Sequence, residues 1–428
     1  MPPTKTRNWD ASAATHVLGR VGFGADRERV RRAVEEGFEA TLSDLETRRA
    51  HSAAMTSKSV ERLVSLGNLQ PLQARWMALI LGDGAPLLER VTLMWHGHFA
   101  TSNAKVGDVK LMHRQNELFR TKGLGDFREL LHDVAKDPAM LVWLDGNRNR
   151  VGAPNENFAR EVMELFGLGI GDGYDEDDIK EAARAFSGWT VTSRRFSFRR
   201  EYHDDGEKSM FGRGGVFTGE QAIERLLEHP ECSRWIARRL LTTFVLPEPS
   251  REDVERWGEV LVEEDWNVGQ TLARLFRDPL FLSDRARRSR IRGPVELVAA
   301  VALATRAEVA PADAVRAASS MGQTLFVPPT VKGWDGGRAW IDPGTWLARH
   351  NLMARYALGD KFDVERTYGR LADRRAAVVA ACELLLPGAV PAPMRATLAA
   401  AAEDAPSTEA AARRVTALVL TSPEYHLA

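Results

Sequence analysis

The chain has 428 residues, 44% of them hydrophobic, and sets 58 basic side chains against 59 acidic ones. Near-neutral charge removes the long-range pull of nucleic acid or an anionic membrane. The only cysteines, Cys232 and Cys382, can build neither a disulfide framework nor a thiolate zinc site. The basic side is lopsided, with 48 arginines to 10 lysines, an excess of forked donors suited to carboxylates or phosphates.

In chain order, the largely polar start, Met1 to Ala14, lacks the apolar core of about 7–15 residues that a secretory signal carries. The longest apolar run, Leu297 to Ala304, is too short to span a bilayer. A reduced, cytoplasmic protein is the expectation. Helical spacing then dominates. Residues 25–36 place Val30 and Ala33 on one face before Gly37. The same period runs through 59–82, 84–95, 108–121, 125–136, 155–166 and 176–187. Trp189 to Arg199 alternates instead, with Phe196 and Phe198 set between polar residues, and predicts a small hairpin. Helical segments resume at 219–229, 233–244, 251–262, 267–277, 293–306, 311–320, 344–359, 363–385, 392–403 and 407–421.

Asp137-Pro138, Asp278-Pro279 and Ser422-Pro423 mark helix ends, because the residue before proline disfavours the α region. The fold class predicted is mainly α: a multi-helical globular protein with a small β-hairpin insertion at 189–218. Division by about 150 residues per domain proposes two or three domains. Soft joints fall at 201–218 and 386–395, and one body with an inserted hairpin fits as well as two.

The segments that could carry chemistry lack the phosphate-loop, nucleophile-elbow, zincin and dinucleotide motifs. At about 100° per residue, Asn157, Arg160, Glu161 and Glu164 share one stripe with Glu156. That stripe is either a solvated face laced with i,i+4 pairs or the polar wall of a cleft with carboxylates for proton transfer or metal binding. His96-Gly97-His98 would converge on a metal only if extended, with Gly97 breaking the helix after Trp95. His203-Asp204 is either a metal-ligating dyad or an ordinary turn. From Gln323 to Trp340 an ordered, glycine-rich loop carries Trp334 and Trp340, which either plug the core or line a recognition surface. Arginine clusters at 285–292 and 194–200 could bind single strands, but pairing with acidic residues is simpler.

These residues also carry a resemblance. Arg114 to Val191, centred on N-E-N-F-A-R-E-V-M-E-L-F from Asn155 to Phe166, is similar to the bacterial family called "domain of unknown function 1800". Matching pieces include His16 to Gly24, Trp95 to Phe99, Gly293-Pro294-Val295-Glu296-Leu297, Gln323 to Trp334 and Ser422 to Tyr425, so one family unit over nearly the whole chain is implied. The resemblance implies a mainly helical fold without an established activity. It also implies gene neighbours similar to sulfatases, hence a sulfatase-like partner protein.

Weighted by that resemblance, the stripe gains a facing partner in Glu181 and Arg184, and His98 is favoured over His96. The function expected is a hydrolytic enzyme. Glu161, Glu164, Arg160, Asn157, Glu181 and Arg184 are its catalytic candidates, and Gln323, Trp334 and Trp340 its substrate-binding ones. His98, His203 and Asp204 are candidates for a divalent metal. The alternatives are a non-catalytic partner or chaperone of the sulfatase-like protein and, least favoured, a nucleic-acid binder. No membrane or nucleic-acid partner is expected.

Overall fold

A computed structural model of the chain describes residues 9–48, 62–171, 173–388 and 390–428; the polar start before Trp9 and residues 59–61 of the predicted 59–82 helix lie outside them. The protein is mainly α-helical. Among the described residues, strands are confined to two antiparallel pairs, Trp189–Thr192 with Arg195–Phe198 and Lys208–Met210 with Arg213–Gly215. The predicted hairpin is therefore two hairpins in succession. No helix among the described residues is long and apolar enough to cross a membrane.

Local chemistry sets the helix limits. Asp10 accepts from Ala13 N at 2.9 Å and opens Ala11–Val21, and Asp137 accepts from Met140 N at 3.1 Å and opens Pro138–Trp143. The aspartate-proline pair at 137–138 thus ends one helix and starts another. The predicted 363–385 helix is two, Val364–Tyr368 and Arg374–Leu385, because Asp373 caps the second by accepting from Ala376 N. The helix predicted over 84–95 runs from Pro86 to His98 without breaking at Gly97. Pro86 at the first turn and a run of buried residues from Glu89 to His96 carry it.

Two hydrophobic clusters fill the interior. The first takes buried hydrophobic residues between Ala14 and Leu45, part of Pro86–His98, and buried hydrophobic residues from Phe119 to Ala286. The second joins Leu69–Leu81 to Pro294–Thr305 and to every later α-helix. Pro86–His98 belongs to both, with Val91, Met94 and Trp95 in the first and Leu93 in the second. The seam between the clusters therefore runs along this helix. The segment 386–395 sits against the second cluster, where Leu386 and Val390 are buried.

Candidate functional site

The conspicuous 156–184 region resolves into two surface networks. Arg160 forks onto Glu176 at 2.7 and 2.9 Å and reaches Glu164 at 3.3 Å, with Glu156 at 3.8 Å. These hydrogen bonds raise its pKa above the usual guanidinium range, the contact to Glu176 first. Glu161 is half-buried, and burial followed by the Glu164 charge pushes its carboxyl upward. Asn157 Nδ2 donates to Leu144 O at 3.2 Å. On the next helix, Glu176–Ala185, Arg184 holds Glu181 at 2.8 Å and Asp204 at 2.8 Å and donates to Glu207 O. Glu181 in turn accepts from Ser209 N. This second network fastens the 208–215 hairpin to the helix, and its bond to Arg184 draws Asp204 down to about 2.

Among the described residues, no group of three or more His, Cys, Asp or Glu is placed to hold a metal ion. The metal expected at His98, His203 and Asp204 thus has no assembled ligand set. His98 is 3% exposed and its Nε2 lies 3.1 Å from Phe166 O. That carbonyl belongs to a π-helical stretch, Val162–Leu168, whose wider turn frees backbone acceptors. Trp235 Nε1 satisfies another by donating to Leu165 O at 2.9 Å. Gly169, at φ +81, makes room for that indole, since a Cβ there would lie 2.7 Å from the ring. Burial, then the charge of Arg239, keeps the His98 imidazole neutral. His203 Nδ1 lies 2.9 Å from Ser187 O, and Asp204 belongs to Arg184. Because the helix continues through Gly97, His96 faces elsewhere: its Nε2 accepts from Phe326 N at 3.0 Å, and burial lowers its pKa to about 3.

Chemistry gathers instead at the seam. A cleft of about 730 Å³ opens between the clusters, lined by Arg90, Arg239, Arg290, Glu296, Trp334 and Trp340 among others. Three of these come from separate helices: Arg90 from Pro86–His98, Arg239 from Pro230–Phe244, and Glu296 from the first turn of Pro294–Thr305. The predicted binding residues Gln323, Trp334 and Trp340 do meet here. Gln323 Oε1 caps the last of these helices by accepting from Val295 N at 2.9 Å. Trp340 is 9% exposed, and Trp334 Nε1 donates to Gly322 O at 3.2 Å while its ring stands 5.5 Å from that of His96. The two readings of the tryptophans therefore merge, since each is packed and also borders the cleft. Gly333, at φ +83, lets this loop touch the end of Pro86–His98, where a Cβ would come within 2.4 Å of Gly97 O.

The electrostatics of the cleft floor are unbalanced. Glu296 Oε1 lies 2.9 Å from Arg90 and 3.3 Å from Arg290. Burial would raise this carboxyl, but Arg90 and then Arg290 overcome that and hold it at about 2, fully ionised. Arg20, Arg239, Arg292 and Arg349 form no ion pair with any side-chain carboxylate among the described residues. Arg20 and Arg349 are served by main-chain oxygens, Arg20 at Val245 O, Ala286 O and Ala428 O and Arg349 at Arg292 O. Arg239 has no such relief: its Nε is buried without a hydrogen-bond partner, and burial draws its pKa to about 10. Arg90 Nε and Nη2 and Arg290 Nη1 are likewise buried without one, although Arg90 and Glu296 touch as an ion pair. Arg90 and Arg239 were missed in the sequence because neither sits in a recognisable motif. The arginine surplus was the one signal pointing to them.

A mainly helical body of two hydrophobic clusters, with an arginine-floored cleft between them, defines the class of this protein. The chain belongs to the family described as "Protein of unknown function (DUF1800)", which it matches over residues 16–427. No curated protein and no solved structure shows significant similarity to it.

Proposed function

We propose that this chain recognises an anionic small-molecule ligand in the cleft between its two hydrophobic clusters. One observation carries the reading: Arg90, Arg239 and Arg290 all line the cavity, and between them they share a single carboxylate, Glu296. Guanidinium charge without a counter-ion is costly where water is scarce, so an anion in the cleft is favoured. The cleft residues described above suit binding better than proton transfer, because Glu296 stays ionised. Titration calorimetry with phosphate, sulfate and acetate tests the reading. Binding to the parent that is lost in Arg239→Gln is expected; a parent that binds none of the three overturns it.

A hydrolytic activity is the second reading, and the raised carboxyl of Glu161 beside Glu164 favours it. It places the acid on the 156–164 stripe rather than in the cleft. Release of product from a panel of ester substrates, abolished by Glu161→Gln, would support it. Turnover unaffected by Glu161→Gln would remove Glu161 from it.

A further inference from the structure

The charge count at the cleft floor says more than that an anion fits. Arg90, Arg239 and Arg290 line it, and one buried carboxylate, Glu296, is shared by two of them while Arg239 has none. Two positive charges are therefore left over at the floor. The rim does not cancel them. Asp335 is engaged by Lys332 at 2.8 Å, and the exposed side chains of Arg338 and Glu248 offset each other. Behind the floor, Arg20 and Arg349 are held by main-chain oxygens. A lone carboxylate would leave one guanidinium uncompensated in a setting where unpaired charge is costly.

We infer that the occupant carries a doubly charged tetrahedral group, a phosphate monoester, whose oxygens lie between Arg239 and the Arg90–Arg290 pair. This rests on the cleft being an anion site and adds the chemical class of the anion. Three terminal oxygens on one phosphorus can accept from Arg239 on one side and from Arg90 and Arg290 on the other, as forked donors prefer. Trp334 and Trp340 supply an aromatic border for the organic part of the ester.

The experiment compares phenyl phosphate, phenyl sulfate and benzoate by calorimetry at pH 8. The three share a ring, but only phenyl phosphate is dianionic. The parent should bind phenyl phosphate at least about tenfold tighter than either monoanion. Arg239→Gln should lose that preference, whereas Arg239→Lys, which keeps the charge, should retain most of it. Arg239 makes no side-chain hydrogen bond or ion pair within the described residues, so its replacement orphans no other group. Equal affinity for all three probes in the parent would overturn the dianion inference and leave the anion site standing. No binding by any probe would overturn both. A phosphate preference that survives Arg239→Gln would take Arg239 out of the site and refute the inference as stated.

Discussion

Around Arg160 and Arg184 each guanidinium meets two or three carboxylates, whereas at the cleft floor two guanidiniums divide one carboxylate and a third has none. The first arrangement is complete in itself, half-exposed, and spent on fastening a helix to its neighbour and to a hairpin. The second is buried and unfinished. Charge density therefore does not distinguish a working site from a structural clamp here. What distinguishes them is whether the hydrogen-bonding capacity has been used up.

Five substitutions or titrations would break or sharpen that contrast. The largest effect is expected from Glu296→Gln, which leaves Arg90 and Arg290 buried without a counter-ion. Urea denaturation should show a loss of about 3–5 kcal/mol, and a loss near zero would mean that the floor tolerates bare charge. Next comes Asp137, whose carboxyl burial lifts to about 7 despite hydrogen bonds from Met140 N and Gln115. Its folded pKa lies above its unfolded one, so the folded state holds the extra proton. The associated stability is present below about pH 4 and is lost as pH rises to about 7, by a few kcal/mol. Asp137→Asn should flatten that decline; an unchanged slope would assign it to other groups.

Arg184→Met removes the clamp on the 208–215 hairpin and should cost about 1–2 kcal/mol, with faster amide exchange at Ser209 and Phe211 as the local sign. Unchanged exchange there would show that the hairpin holds without the clamp. In the absence of ligand, Arg239→Gln should behave oppositely and gain up to about 1 kcal/mol, the usual trade where a site is kept for function. A marked loss in melting temperature would instead reveal a structural role. The smallest effect belongs to Arg160→Met, within about 0.5 kcal/mol because the network around it is solvent-screened. A change above that range would show tighter coupling than the exposure of Arg160 suggests.

The parts of the fold that were legible in the sequence had strong local punctuation. Pro311–Ser320 and Ala392–Glu403 fall where predicted, each opened by a proline at its first turns. Ala11–Val21 was not seen, because half of its apolar residues are alanine and its start depends on one aspartate cap. The π-turn at Val162–Leu168 leaves no periodic trace in seven residues. In the candidate site, Gln323, Trp334 and Trp340 were identifiable as a glycine-spaced loop with costly aromatics. Arg90 and Arg239 were not, since the sequences of Pro86–His98 and Pro230–Phe244 alike show only that a helix exists, never which cavity its face will border. His98 was misjudged for a related reason: a buried histidine serving one carbonyl looks the same in sequence as one awaiting a metal.

The division of the interior also sets an order of assembly. Leu72, Trp76, Met77 and Ile80 pack with residues beyond Pro294. During synthesis at about 5–20 residues per second, their partners emerge roughly 10–40 seconds later. For that interval the helix Leu69–Leu81 shows an oily side to the cell, and the cleft, which needs Glu296 and Trp334, does not yet exist. The nascent chain can complete its first cluster early, but it must guard the second until nearly the whole polypeptide has been made.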